Sequence, residues 1–165
     1  MAQTKLGEYV VNTVGELPAV GSMAPAFILT GNDLRNVKSD VFAGKNIVLN
    51  IFPSIDTGVC STSVREFNKR IAASPNAIVL CISKDLPFAM RRFCGAEGID
   101  KAITLSDFRN RGFATSYGVE LIDGGFKGLF ARAVVVIDPS GKVKHTELVP
   151  NIDHEPDYES ALKAL

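Results

Sequence analysis

The chain has 165 residues, of which 46% are hydrophobic and 22% charged, and its eighteen basic and eighteen acidic side chains cancel. That length is one domain's worth and can bury roughly 70% of the surface its unfolded chain exposes. The neutral balance removes the electrostatic drive towards nucleic acid or an anionic membrane, and no run reaches the about eighteen apolar residues of a membrane span. The first residues lack the apolar centre of a signal peptide, which makes the cytosol the expected compartment. Three cysteines, Cys60, Cys81 and Cys94, are an odd number and fit a reduced compartment better than a secreted disulfide framework.

In chain order, residues 7–14 alternate weakly and predict a small hairpin. Residues 46–52 (Asn-Ile-Val-Leu-Asn-Ile-Phe) read as a buried strand ended by Pro53. Residues 61–73 are helical in pattern, with Val64, Phe67 and Ile71 on one face. Residues 77–82 are a second buried strand. Asp85 then offers an N-cap, and Pro87 a tolerated first-turn position, for a helix running to about Cys94. A short strand at 102–105 and a helix near 110–117 follow. Residues 131–137 form the next strand, Asp138-Pro139-Ser140-Gly141 a turn, and residues 142–148 its returning partner. Residues 155–165 close as a helix. Early βα alternation with a late antiparallel hairpin predicts a single α/β domain over residues 1–165, a mixed sheet with helices on both faces.

The segment Pro53-Ser54-Ile55-Asp56-Thr57-Gly58-Val59-Cys60 carries the chemistry. It places Cys60 in the first turn of a helix, just beyond a central strand. Unpaired backbone N–H groups and the positive end of the helix dipole lie there, and both favour thiolate over thiol. A thiolate attacks peroxides, disulfides and carbon electrophiles.

The spacing P-x-x-x-T-x-x-C at Pro53, Thr57 and Cys60 resembles the signature of the peroxiredoxins. The segment 92–98, Arg-Phe-Cys-Gly-Ala-Glu-Gly, resembles the part of the bacterial thiol peroxidases, an atypical two-cysteine branch, that carries the second redox cysteine. Residues 129–134 resemble that branch's arginine-bearing strand, and residues 21–27 its entry segment. The resemblance covers essentially the whole chain. It implies a thioredoxin-like fold and a peroxidase acting on hydrogen peroxide and organic hydroperoxides, with a leaning towards alkyl hydroperoxides. It also implies recycling by thioredoxin and a homodimer. No metal or organic cofactor is required, because sulfur bears the chemistry.

On this reading Cys60 is the peroxidatic nucleophile, though a cysteine taken at random is more often a small buried hydrophobe. Thr57 either caps the helix or hydrogen-bonds the peroxide and thiolate, and the two roles are compatible. Pro53 ends the strand and, by resemblance, shields the cysteine from water. Desolvation alone disfavours a thiolate, so the pocket needs positive charge or donors. Arg132 is the candidate, a lone basic residue in an apolar strand, where it is either on a wet face or paired with Cys60. Cys94 is either helix packing or, by resemblance, the resolving thiol that condenses with the Cys60 sulfenic acid before it overoxidises. The Cys60–Cys94 bridge so implied closes a loop of about 35 residues, worth ~4 kcal/mol in the chain-entropy model. Since both cysteines lie in predicted helices, local unwinding must precede it. An apolar entrance at Phe88 or Phe93 would suit alkyl hydroperoxides.

Cys81 is read as core. His145 and His154 form no zinc spacing with the cysteines. Asp153, Glu155, Asp157 and Glu159 alternate as in a calcium loop, but Pro156 and the missing turn glycine favour a helix-start reading. The basic pairs Arg91-Arg92 and Arg109…Arg111, with Phe93, Phe108 and Phe113 nearby, are read as solvated helix faces with phenylalanines turned inward. A disulfide oxidoreductase on the same fold lacks its C-x-x-C. A non-enzymatic redox sensor would leave Pro53, Thr57 and Arg132 unexplained.

Overall fold

The computed structural model describes residues 1–110 and 112–165. A hairpin of β1 (Gln3–Leu6) and β2 (Tyr9–Asn12) precedes a seven-stranded mixed sheet. The sheet strands are β3 (Ile28–Thr30), β4 (Asn36–Lys38), β5 (Asn46–Ile51), β6 (Ala77–Ser83), β7 (Ala102–Ser106), β8 (Ala133–Ile137) and β9 (Val143–Leu148). The helices are α1 (Gly58–Ile71), α2 (Pro87–Glu97), α3 (Gly112–Ser116) and α4 (Tyr158–Lys163). In space the strands run β4-β3-β7-β6-β5-β8-β9. β5, β6 and β7 are parallel, and β8 returns antiparallel against β5 with β9 beside it.

β5 is central and buried on both faces, which is why it reads as a continuous apolar run rather than an alternating one. Its alternation sorts the core in two. Leu49 and Ile51 join Leu80, Ile82, Ala133 and Val135 on the face covered by α3, whose Phe113 stacks on Tyr117 at 4.4 Å between ring centroids. Val48 and Phe52 join Val79, Cys81, Val134 and Val136 on the face covered by α1 and α4, with Phe93 of α2 packed against them. Arg132 directly precedes β8, and Ala133 pairs with Ile51 at the far end of β5. The register thus brings Arg132 to the strand end from which α1 starts, on the α1 face.

Several expectations shift in detail. The hairpin spans residues 3–12 rather than 7–14, because Gly7, at φ +62°, is its turn and not its first strand residue. The helix after β5 starts at Gly58, so Cys60 lies within its first turn. The strand that was to begin at residue 131 begins at Ala133. The last helix is shorter than 155–165: Asp157 caps it, its carboxylate accepting from the Ser160 N–H at 3.1 Å. Strands β3 and β4 are too short, at three residues each, to leave a periodic signal. Arg91 and Arg92 are exposed and Phe113 is buried as read, while Arg111 lies outside the described residues. Among the described residues, no helix is long and apolar enough to cross a membrane.

Candidate active site

Cys60 sits in the first turn of α1 with no exposed surface. Arg132, 2% exposed, reaches it from the sheet, and the Arg132 Nη2–H group donates to Cys60 Sγ at 3.2 Å. The guanidinium is held by a second bond, Nε–H to the Ile152 carbonyl at 2.9 Å, from the chain beyond β9. Its Nη1 is buried with no partner among the described residues, an unused donor beside the sulfur. A guanidinium buried this deeply is costly unless something near it carries negative charge.

Thr57 stands at the N-cap position of α1 in extended geometry, but its side chain makes no cap bond. Its hydroxyl instead donates back to the Ser54 carbonyl at 3.2 Å, a carbonyl that the Thr57 N–H also reaches at 3.2 Å. The capping alternative is therefore not what the structure shows. The Ser54 carbonyl, in the turn just before α1, takes the hydroxyl instead. Pro53 is buried at the end of β5. Thr57, Val59, Phe126, Arg132, Ile152 and Asp153 line a small mouth of about 210 Å³. Three of the named residues thus come together here: Arg132 bonds Cys60, and Thr57 lines the same mouth as Arg132.

Cys94 does not join them. It lies half-buried in the last turns of α2, where its sulfur sits 3.9 Å from Thr104 Oγ1 of β7, and it lines a separate cleft with Asn32, Phe42 and Ile103. All three cysteines are free thiols. Burial pushes the Cys94 thiol above its ordinary value, with the Thr104 hydrogen bond working the other way. Cys81 is pushed up to about 12, chiefly by complete burial, as befits a core residue. Phe88 is 56% exposed on α2 and Phe93 packs against the core, whereas the mouth beside Arg132 is lined by Phe126, Val59 and Ile152. Phe126 comes from the Gly124–Gly128 loop, which periodicity cannot place.

Two further residues escape the sequence reading. The Ile152 carbonyl orients Arg132 across twenty positions, and a backbone acceptor leaves no trace in side-chain identity. Asp85 is read there as the N-cap of α2, yet Leu86 occupies that position and Asp85 turns the other way. Its carboxylate accepts from Ser54 Oγ at 2.8 Å and from the Ile55 N–H at 2.7 Å, both in the loop leading to Cys60.

Comparison with known proteins decides the family, since a redoxin profile matches residues 19–162. The chain belongs to the redoxin family. Within the family it is 60% identical over 165 residues to the thiol peroxidases of Mycobacterium bovis and Mycobacterium tuberculosis, covering all of this chain and 99% of each relative. That likeness makes this redoxin an enzyme of the thiol peroxidase group. A crystal structure of a peroxiredoxin-like protein from Aquifex aeolicus superposes with a TM-score of 0.91 at 36% identity, covering 99% of this chain and 96% of that one. The thiol peroxidase from Chromobacterium violaceum gives the same TM-score at 20% identity over 99% and 95% of the two chains, and shares the thioredoxin-like fold.

Proposed function

We propose that this redoxin reduces hydrogen peroxide and organic hydroperoxides with Cys60 as the nucleophile and Cys94 as the resolving thiol. The Arg132 guanidinium 3.2 Å from a fully buried Cys60 sulfur carries the proposal. Such a donor bonds a sulfur anion more strongly than a thiol, and it is already in place when charge moves onto oxygen. The Cys60 thiolate attacks the terminal peroxide oxygen. An S–O bond forms as the O–O bond breaks, and the departing alkoxide or hydroxide takes a proton from water to leave as alcohol or water. The unpartnered Arg132 Nη1 supplies a donor for one peroxide oxygen. The Thr57 hydroxyl, its own hydrogen given to the Ser54 carbonyl, accepts from the peroxide O–H, while buried Pro53 limits water at the sulfur. Phe126, Val59 and Ile152 at the mouth favour an organic group over a bare hydroxyl.

The sulfenic acid then needs Cys94, which faces Thr104 on β7 in the folded chain. The last turns of α2 and the first turn of α1 unwind so that the Cys94 thiolate attacks the Cys60 sulfur, forming the disulfide and expelling hydroxide. The hydroxide takes from solvent the equivalent of the proton Cys94 gave up and leaves as water. Burial holds Cys94 as a thiol until that unwinding returns it to solvent. A dithiol of the thioredoxin type restores both thiols. The whole chain acts as one domain, as a homodimer in the cytosol.

Steady-state peroxide consumption with thioredoxin, its reductase and NADPH tests this reading on the native chain, Cys60→Ser and Cys94→Ser. The native chain should turn over, Cys60→Ser should be inactive, and Cys94→Ser should stop after one equivalent. Normal cycling by Cys94→Ser would remove that cysteine from the mechanism.

A further inference from the structure

Asp85 is the fixed end of a hydrogen-bond chain that leads to the first turn of α1. Its own position is set by the ends of two parallel strands. Ser83 Oγ donates to Asp85 Oδ2 at 2.6 Å, the Asp85 N–H donates to Ser83 Oγ at 3.1 Å, and Ser106 Oγ donates to the Asp85 carbonyl. Ser83 and Ser106 are fully buried and pair across β6 and β7. From this post the chain runs outward: Ser54 Oγ and the Ile55 N–H donate to the two carboxylate oxygens. The Ser54 carbonyl receives the Thr57 N–H and hydroxyl, and the Thr57 carbonyl receives the Ser61 N–H at 3.0 Å, the bond that opens α1. The loop residues 53–57 belong to neither strand nor helix, so these bonds replace the ladder that a regular element would supply.

We infer that Asp85 is a positioning residue for peroxide reduction, holding the Ser54–Thr57 turn so that the Thr57 hydroxyl meets the peroxide beside Cys60. The inference rests on the reading of Cys60 and Thr57 given above. It differs from general support of the fold because Asp85 touches the loop and strand ends, not Cys60 or Arg132. Loss of its carboxylate misplaces Thr57 and leaves the Arg132–Cys60 bond standing. Peroxide attack needs Thr57, whereas attack on a carbon electrophile needs only a reachable thiolate. An amide at this position partly replaces the acid: its oxygen can serve Ile55 and Ser83, and its NH₂ can donate to a reoriented Ser54 hydroxyl.

The test compares Asp85→Ala and Asp85→Asn in the full chain carrying Cys94→Ser, where oxidation stops at the sulfenic acid. Stopped-flow rates with cumene hydroperoxide and with hydrogen peroxide are set beside the rate of Cys60 alkylation by iodoacetamide. Asp85→Ala should lose about tenfold or more in both peroxide rates, since a misplacement of about 1 Å can cost as much as a hundredfold. Its alkylation rate should be unchanged or higher, and Asp85→Asn should recover part of the peroxide rate. Peroxide rates of both variants within twofold of the reference would overturn the inference alone. Peroxide and alkylation rates that fall together would also overturn it, leaving Asp85 a residue of general stability. A reference protein that fails to react with either peroxide would overturn the site reading and this inference with it.

Discussion

In the proposed mechanism the contact between Arg132 and Cys60 carries the peroxide chemistry, and the guanidinium's geometry suits it better than an ammonium would. Two of its nitrogens are already committed, one to the sulfur and one to the Ile152 carbonyl, and the third is buried without a partner among the described residues. A lysine has no planar fork to keep all three directions at once. Arg132→Lys is therefore expected to lower the second-order rate constant of Cys60 with hydroperoxide by about a hundredfold, the scale of losing one preorganised donor. Stopped-flow single turnovers measure it, and a loss below tenfold would count against the role given to the fork. The other two cysteines should differ from each other in alkylation. Burial raises the Cys94 thiol, so in Cys60→Ser its labelling by iodoacetamide should climb with pH later than that of a free cysteine. Cys81, fully buried inside β6 and not, like Cys60, beside residues that line the mouth, should stay unlabelled until the chain unfolds. Mass spectrometry of labelled peptides reads both.

At the scale of elements, α1 and α2 carry the two cysteines, and the proposed disulfide requires both to give way before the sulfurs meet. α2 is well terminated: Gly98 lies in the left-handed region at φ +65°, and its N–H returns to the Cys94 carbonyl. An Arg65–Glu97 ion pair at 2.9 Å ties α2 to α1, although its exposure makes it worth little. Gly95 is the weak point. It lies inside α2, exposed, and a Cβ there meets nothing within 4 Å. Gly95→Ala should stabilise α2 by about 1 kcal/mol. If α2 must unwind for Cys94 to reach Cys60, the same change should slow disulfide formation up to about fivefold, while sulfenic acid formation is unaffected. Quench-flow with thiol trapping separates the two steps, and an unchanged disulfide rate would show that resolution does not pass through unwinding of this turn.

The whole molecule is held by packing on both sides of β5 and by a few backbone approaches that tolerate no side chain. Gly118, at φ +68°, follows Tyr117, and a Cβ there would lie 2.4 Å from the Glu16 carbonyl oxygen. Gly118→Ala should cost at least about 2 kcal/mol and lower Tm by roughly 4–8 °C, because both the backbone conformation and the contact oppose it. Calorimetry would detect this easily, and an unchanged Tm would mean that the N-terminal segment can move aside. Stability should also fall in alkali. An unfolded cysteine loses its proton near 9.0 and buried Cys81 only at about 12. The folded value is the raised one, so the contribution of Cys81 is fully present below pH 9 and shrinks as pH climbs towards 12. Urea midpoints over that range should drop more steeply for the native chain than for Cys81→Ala, and parallel slopes would rule the effect out.

The sequence by itself determined the local parts. Buried strands betray themselves as apolar runs, amphipathic helices by period, and Cys60 by its place after a proline-ended strand. Where local order and tertiary packing agree, as in β5, α1 and β6, the reading and the structure coincide to within a few residues. Peripheral pieces such as β3 and β4 were illegible, being too short for a period to register. Asp85 was misread because an acid just before a proline-led helix has the local form of an N-cap, and only the neighbouring loop decides otherwise. Phe126 and the Ile152 carbonyl were invisible for a related reason. They reach the mouth through a glycine-containing loop and through the backbone beyond β9, and neither route has a sequence period. The tertiary structure alone decided which charges and apolar groups stand around Cys60. Those neighbours come from segments far apart in the chain, and sheet register, not spacing along the sequence, brings them within hydrogen-bonding distance.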